Sequence, residues 1–286
     1  MATSRPEDLL ELAAAVARDA GALIRNRYDE PRSIGTKSAS VDLVTDTDRA
    51  AERLILDRLR REAPGDAILS EESGAIEALA GHEASDICWV VDPLDGTTNF
   101  AHGIPHFAVS VAAVRLASGA MTSRAFDPKA ARPVAGAVYD PMRDELFLAH
   151  EGGVATLNGR AIAPSSEANL DASLLATGFP YDRREHVDLY LSFWRSMMVR
   201  ARDIRRIGAA ALDLAWVACG RVDGFWEWRL KPWDVAAGNL IVRCAGGRVT
   251  DFRGADPGVD AEQTMASNGR IHDALLAVFD ELLPRA

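Results

Sequence analysis

WVVDPLDGTTNF, residues 89–100, sets an apolar run directly against a polar turn. Asp92 and Asp95 stand three positions apart, and Gly96, Thr97 and Thr98 follow. A short apolar run bounded by turn residues reads as a buried strand. Two carboxylates and two hydroxyls therefore sit at the edge of the core. Asp-Pro and Asp-Gly are also ordinary turn dipeptides, so the rest of the chain has to distinguish a site from a turn.

On the N-terminal side, residues 6–28 read as a helix. Leu9, Leu12, Val16, Ala20 and Leu23 recur at three- and four-residue steps, and Pro6 suits a first turn. Residues 31–45 break that period as a loop or irregular hairpin. A second helix is predicted over about 46–62, with Ala50, Leu54 and Leu59 as its apolar stripe and Asp46 or Thr47 as its N-cap. AILSEES then ends a short strand on Glu71 and Glu72. On the C-terminal side, CWVVDP (88–93) and FAVSVAAVRL (107–116) read as strands, 118–133 as an exposed loop, and 135–140 with 145–152 as a β-hairpin. SLLATGFP is strand-like, and 185–199 is helical with Leu189, Phe193 and Met197 on one side. Residues 208–219 form a small-residue helix, VDGFWEW a strand, PWDVAAGNLIVRCAG a helix, GRVTDF a strand and 269–283 a terminal helix. Helices and strands alternate in both halves, and the texture changes near 150–170.

The 286 residues, 48% of them hydrophobic and 26% charged, are enough for one large domain or two sharing an interface. A net charge of −10 argues against a general nucleic-acid or anionic-membrane binder. Cys88, Cys219 and Cys244 lack CxxC spacing and lie in or beside apolar runs, which suits free thiols in a reducing compartment. The first residues lack the apolar core of a signal peptide, and no window reaches the length of a membrane span. A soluble cytoplasmic protein is expected.

Acids collect at the ends of apolar elements in four segments: VDLVTDTD at 41–48, SEES at 70–73, VDPLD at 91–95 and KPWDVAAG at 231–238. Taken singly, Asp92 fits a turn, Asp234 an N-cap and Asp48 a first-turn charge. Taken together, carboxylates brought close would repel and take up protons. Hard divalent cations resolve that conflict, and Mg²⁺ prefers oxygen ligands. Two such ions can hold the attacking and leaving oxygens of a phosphoryl transfer. Neither clustered histidines nor a thiolate set points to zinc. The chemistry alone reads as a Mg²⁺-dependent phosphate enzyme.

WVVDPLDGTTNFAHGIP together with KPWDVAAGNLIV closely resembles the two signatures of the inositol monophosphatase family. SEES and VDLVTDTD match two further family segments in the expected order, and the resemblance runs from about residue 7 to 283. It implies an α/β fold, the layered α/β/α/β/α sandwich of the inositol monophosphatase and fructose-1,6-bisphosphatase type. Residues 1–286 would form a single domain, with subdomains of roughly 1–160 and 161–286. It also implies two Mg²⁺ ions, and a third in some members. Glu71, Asp92 and the backbone carbonyl of Leu94 would hold the first ion, and Asp92, Asp95 and Asp234 the second.

By the same resemblance, Asp48 and Thr97, with Glu71, would orient the attacking water. Thr97 also suits a helix cap. Lys37 lies in the family's loop over the metals, either assisting there or as a solvated loop lysine. Asp95, Gly96, Thr97 and Thr98 would face the substrate phosphate. Gly208, Ala209 and Ala210 would line the polyol pocket, and Glu227 would accept a hydrogen bond from a substrate hydroxyl. Arg229, where a glycine is usual, and the long 118–133 segment depart from the commonest bacterial pattern. The arginine would either pair with a surface acid or meet a second anionic group of the substrate. The implied activity is hydrolysis of myo-inositol monophosphate by direct attack of water, inhibited by Li⁺, in a homodimer with no membrane association. Histidinol phosphate and fructose 1,6-bisphosphate are the alternative substrates. A regulatory binding protein associated with RNA polymerase is the alternative of another class.

Overall fold

Apolar residues at helical spacing place Leu9, Ala13, Val16, Ala17, Ala20 and Ile24 on the buried face of α1 (Pro6–Arg27). In the computed structural model of the protein, residues 5–31, 33–37, 43–117 and 126–283 are described. A hairpin, β1 (Ile34–Thr36) and β2 (Leu43–Thr45), follows α1 and delivers the chain to α2 (Asp46–Glu62). The N-cap of α2 is Thr45, which corrects the expected Asp46 or Thr47. Thr45 is the last extended residue, and its Oγ1 accepts the N–H groups of Thr47 and Asp48 at 3.2 and 3.4 Å. The Asp48 carboxylate returns the bond by accepting Thr45 N–H at 2.9 Å, the reciprocal pairing of a capping box. Ala50 and Leu59 are buried as expected, but Ala51, Ile55 and Leu56 carry the rest of the stripe while Leu54 is half-buried.

The first sheet is built from β3 (Ala67–Ser70), β4 (Gly74–Ile76), β5 (Ile87–Asp95), β6 (Ala108–Arg115), β7 (Arg132–Asp140), β8 (Glu145–His150), β9 (Thr156–Leu157) and β10 (Arg160–Ala161). Its order is β10-β9-β8-β7-β6-β5-β3-β4, antiparallel except where β3 runs parallel to β5. β5 is buried along its whole length and runs on to Asp95. Its register against β6 slips between Asp92 and Asp95, a bulge after which Asp95 still pairs with Ala108. The short helix α3 (Thr97–Ala101) follows at once. Of the expected loop at 118–133, residues 118–125 lie outside the described residues, and β7 already begins at Arg132.

The second sheet holds β11 (Leu174–Thr177), β12 (Asp203–Arg205), β13 (Gly224–Trp228), β14 (Arg248–Thr250) and β15 (Gln263–Ser267), in the order β12-β11-β13-β15-β14. β15 has no counterpart in the sequence reading. QTMAS is short and lacks alternation because its last four residues are all buried. Four helices complete the chain: α4 (Val187–Met198), α5 (Ala210–Ala218), α6 (Pro232–Cys244) and α7 (His272–Leu282). On α4 the buried stripe is Tyr190, Phe193 and Met197, and the expected Leu189 is 37% exposed.

α1 and α2 pack on the first sheet, α5 and α6 lie between the two sheets, and α4 and α7 cover the far side of the second. The layers are α/β/α/β/α, as expected. Three apolar clusters fill the spaces between them. One runs through Trp89, Phe100 and Phe107, a central one through Phe147, Leu212, Leu214 and Ala237, and an outer one through Phe193, Phe252 and Phe279. Among the described residues, no helix is long and apolar enough to cross a membrane. The three cysteines are free thiols, with only Cys88 fully buried.

Candidate active site

The bulge near the end of β5 falls between Asp92 and Asp95, which pair with Ser110 and Ala108 of β6 on either side of it. Asp92 Oδ1 accepts the N–H of Leu94 at 2.9 Å, which holds the turn in shape. The Asp92 and Glu71 carboxyl groups lie within hydrogen-bonding reach of each other, a contact that needs a proton or a cation between them. Asp234, third residue of α6, accepts Lys231 N–H at 2.7 Å. It therefore caps its helix from within the first turn rather than from the N-cap itself. Asp95 reaches across to α5, where its two oxygens accept Ala210 N–H at 3.2 Å and Ala211 N–H at 2.8 Å. It supplies the cap that Ala209 cannot.

Electrostatics binds these groups into one site. Burial, followed by the neighbouring carboxylates, holds Asp92 and Asp234 well above the ordinary carboxylate range, and burial raises Asp95 as well. Lys37 is not the solvated lysine of the alternative reading. Its ammonium bonds Glu71 Oε1 at 2.7 Å and also pairs with Glu72. Burial opposes that charge, yet Glu71 and Glu72 hold the ammonium above its ordinary pKa. Among the described residues, no three acid, imidazole or thiol side chains form a ready-made coordination shell. Asp92 and Asp95 are buried and Glu71 and Asp234 half-buried beside them, and of these four carboxylates only Glu71 has a cationic side-chain partner among the described residues, Lys37.

Thr97 does not cap α3 with its side chain. Gly96 occupies the cap position, at φ +91°, and a Cβ there would meet the His106 carbonyl oxygen at 3.1 Å. The buried Thr97 hydroxyl instead lies 2.8 Å from Asp48 Oδ1 and 3.0 Å from the Leu94 carbonyl oxygen, donating its proton between them. The same capping box that starts α2 thus aims Asp48 at Thr97. Burial pushes the Asp48 carboxyl above its usual value. Thr98, next along α3, is exposed.

The structure brings Gly208, Ala209 and Ala210 beside Asp95 and Gly96. Glu227 lies on β13, where a Cβ at Gly178 would overlap its carboxylate. Burial raises Glu227 to about 8, with Arg206 working against the shift and Asp95 adding to it.

Three supporting residues escaped the sequence reading. Buried Glu52 accepts Ser70 Oγ at 2.5 Å, Ser73 N–H at 3.0 Å and Ser73 Oγ at 2.8 Å, so it holds the loop that presents Glu71 and Glu72. Asn99 donates to the carbonyls of His106 and Ile207 at 2.8 and 2.9 Å, tying α3 to the approach to α5. Asp213 on α5 is buried and its Oδ1 has no hydrogen-bond partner. In sequence, Glu52 sits in an ordinary run of helix charges and carries no signal of this role.

The model of the inositol monophosphatase family matches residues 5–283. The chain belongs to the inositol monophosphatase family. It is 44% identical over 276 residues to a protein named Nus factor SuhB from Escherichia coli, covering 96% of this chain and 97% of that one. It is 42% identical over 273 residues to an inositol-1-monophosphatase from Synechocystis sp., covering 94% and 89%. The solved structure of the extragenic suppressor protein suhB from Bartonella henselae superposes with a TM-score of 0.84 at 37% identity, covering 96% of this chain and all of that one. Membership of the inositol monophosphatase family supports a phosphatase. It agrees with a site whose acids come from four separate segments of the chain.

Proposed function

We propose that this chain is a Mg²⁺-dependent phosphomonoesterase acting on a polyol phosphate, with myo-inositol monophosphate as the leading substrate. The observation that carries the proposal is the mutual electrostatic crowding of Glu71, Asp92, Asp95 and Asp234, buried or half-buried acids whose like charge asks for a hard cation. The donor set is all oxygen and fits that cation. Glu71, Asp92 and the Leu94 carbonyl would hold one ion, Asp92, Asp95 and Asp234 a second, with a third beside Glu71. When bound, the ions supply Lewis-acid neutralisation of the phosphoryl oxygens and of the departing oxygen.

The chain's own residues orient the reaction. Because the Thr97 proton is directed to Asp48 and the Leu94 carbonyl, the Thr97 oxygen is left as an acceptor for an attacking water. The raised Asp48 carboxylate behind it is a better proton acceptor than an exposed aspartate. The water oxygen would bond to phosphorus as its proton passes to Asp48, the ester P–O bond would break, and the departing oxygen would take a proton from solvent, so phosphate and free polyol are the products. Backbone N–H groups at 96–98 would donate to phosphoryl oxygens. Glu227 would receive a polyol hydroxyl.

Phosphate release from inositol 1-phosphate, histidinol phosphate and fructose 1,6-bisphosphate, measured side by side at one Mg²⁺ concentration, tests the substrate. The inositol ester should give the highest kcat/KM, and chelator should abolish release until Mg²⁺ is restored. Full turnover in chelator would end the cation reading. A second reading rests on the name Nus factor carried by the Escherichia coli relative: a binding role with RNA polymerase alongside catalysis. A pull-down with purified polymerase, with and without Mg²⁺, tests it. Absence of capture in both would remove it.

A further inference from the structure

Three non-glycine residues have positive φ among the described residues: Asp144, Asn158 and Arg229. Aspartate and asparagine tolerate the left-handed region, whereas arginine gains nothing there and its Cβ is crowded. Arg229, at φ +56°, is thus the one whose backbone has to be held by its surroundings. It lies two residues beyond Glu227, at the end of β13. Its N–H donates to the Glu262 carbonyl at 2.8 Å. Its guanidinium pairs with Asp182 through Nη1 and with the Glu262 carboxylate at 3.5 Å through Nε. Two carboxylates already engage this side chain, so it is not a receptor for a second anionic group of the substrate.

Asp182 is the other half of the arrangement. Its Oδ1 accepts the Tyr190 hydroxyl at 2.9 Å, and its Oδ2 meets Arg229 and lies 3.5 Å from His186 Nε2. One carboxylate thus joins the 179–186 segment, the first turn of α4 and the end of β13. Beneath it is a pocket whose wall includes Gly178, Phe179, Tyr190, Trp228 and Glu227. Tyr190 and Trp228 pack edge to face at 6.1 Å. Gly178 packs directly against the Glu227 carboxylate, and a Cβ there would displace it. The segment carrying Asp182 is therefore the rim over Glu227, and Arg229 is what ties that rim down.

We propose that Arg229 is a positioning residue, holding the 178–190 rim over Glu227 through Asp182 and so setting how tightly the alcohol part of the substrate is held. The alcohol half of this statement rests on the phosphatase reading above, and the rim half does not. Hydrogen exchange of the 179–190 amides reads the rim without any substrate. KM and kcat for inositol 1-phosphate read the alcohol.

Arg229→Gly relieves the backbone and removes the ion pair, so it should fold. Exchange of the rim amides should quicken, and KM for inositol 1-phosphate should rise, each by about two- to five-fold, as expected for a partly exposed ion pair. kcat should stay within about two-fold, since nothing at Thr97 or the acids has moved. Arg229→Lys, which keeps a cation facing Asp182 and Glu262 and leaves the Tyr190 bond intact, should bring both readouts back toward the parent. Parent-like exchange and KM in Arg229→Gly would overturn the proposal. So would a fall in kcat at constant KM, or failure of Arg229→Lys to restore either readout. If the parent chain released phosphate from no ester, the phosphatase reading would fall, and exchange at 179–190 would still decide whether Arg229 holds the rim.

Discussion

Asp92 and Glu72 stand in the same acidic neighbourhood with different surroundings. Asp92 contacts Glu71 and is held in its turn by Leu94 N–H, whereas Glu72 is neutralised by Lys37. Asp92→Asn should therefore lose about a hundred-fold or more in kcat/KM, and Glu72→Gln at most about ten-fold, the scale of a supporting contact. Titration calorimetry of Mg²⁺ into both variants checks the assignment, and equal losses of affinity and rate would refute it. Glu227 is proposed to bear on the alcohol instead. A charge-assisted hydrogen bond is worth about 1.5–3 kcal/mol. Glu227→Gln should then lower the ratio of kcat/KM for inositol 1-phosphate to that for p-nitrophenyl phosphate by about ten- to a hundred-fold. An unchanged ratio would take Glu227 out of the alcohol pocket. The acids of the candidate site were legible in the sequence because Glu71, Asp92 and Asp95 end apolar runs and Asp234 opens a helix behind Pro232. Glu52 and Asp213 were not, because burial by a distant strand or helix leaves no local trace.

Among the elements, α5 and α6 decide whether the site assembles, since α5 receives Asp95 and α6 presents Asp234. Their approach depends on Gly238, where a Cβ would stand 2.7 Å from Leu214 Cβ. Gly238→Ala should gain helix propensity but lose more through overpacking, for a net cost of about 1–3 kcal/mol. Urea unfolding monitored by tryptophan fluorescence measures it, and a more stable variant would show that the two helices separate easily. The same helices show where pattern reading succeeds. α6 begins at Pro232 as its sequence announces. α5 begins only at Ala210, because Gly208 is at φ +91° and Ala209 is extended. β15 was missed for the opposite reason: it is enclosed by β13 and β14 and needs no alternation.

At the scale of the whole molecule, two buried histidines make stability depend on pH. His272 bonds Thr250 Oγ1 through Nε2 at 2.9 Å and Ser267 Oγ through Nδ1 at 2.8 Å. The Thr250 hydroxyl donates to the Asp251 carbonyl, so Nε2 is the ring donor and Nδ1 the acceptor. Burial, then Arg248, lowers His272 to about 4, and burial with Arg143 lowers His106 likewise to about 4. The unfolded chain, with histidines near 6.5, binds protons first as the pH falls. Their stabilisation is thus complete above about pH 6.5 and is lost on the way down to about pH 4. The crowded acids, whose folded pKa values are raised, work in the opposite direction. The informative quantity is therefore the difference between the parent and His272→Gln, which should narrow by about 1–3 kcal/mol between pH 7 and pH 5. Parallel unfolding curves at both pH values would show that His272 does not titrate in this window.

By itself, the sequence determined the α/β alternation, most of the helices, the family and the acids that end buried strands, because periodicity and turn chemistry are local properties of a chain. Tertiary structure alone decided that Thr45 rather than its neighbours caps α2 and that Thr97 turns to Asp48 instead of capping α3. It also decided that Asp95 caps a helix 115 residues further on and that Arg229 spends its charge on Asp182 and Glu262. Each of these depends on which partner arrives from a remote segment. A hydrogen bond or ion pair forms where geometry and burial make it the best available, and neither is written in the spacing of nearby residues.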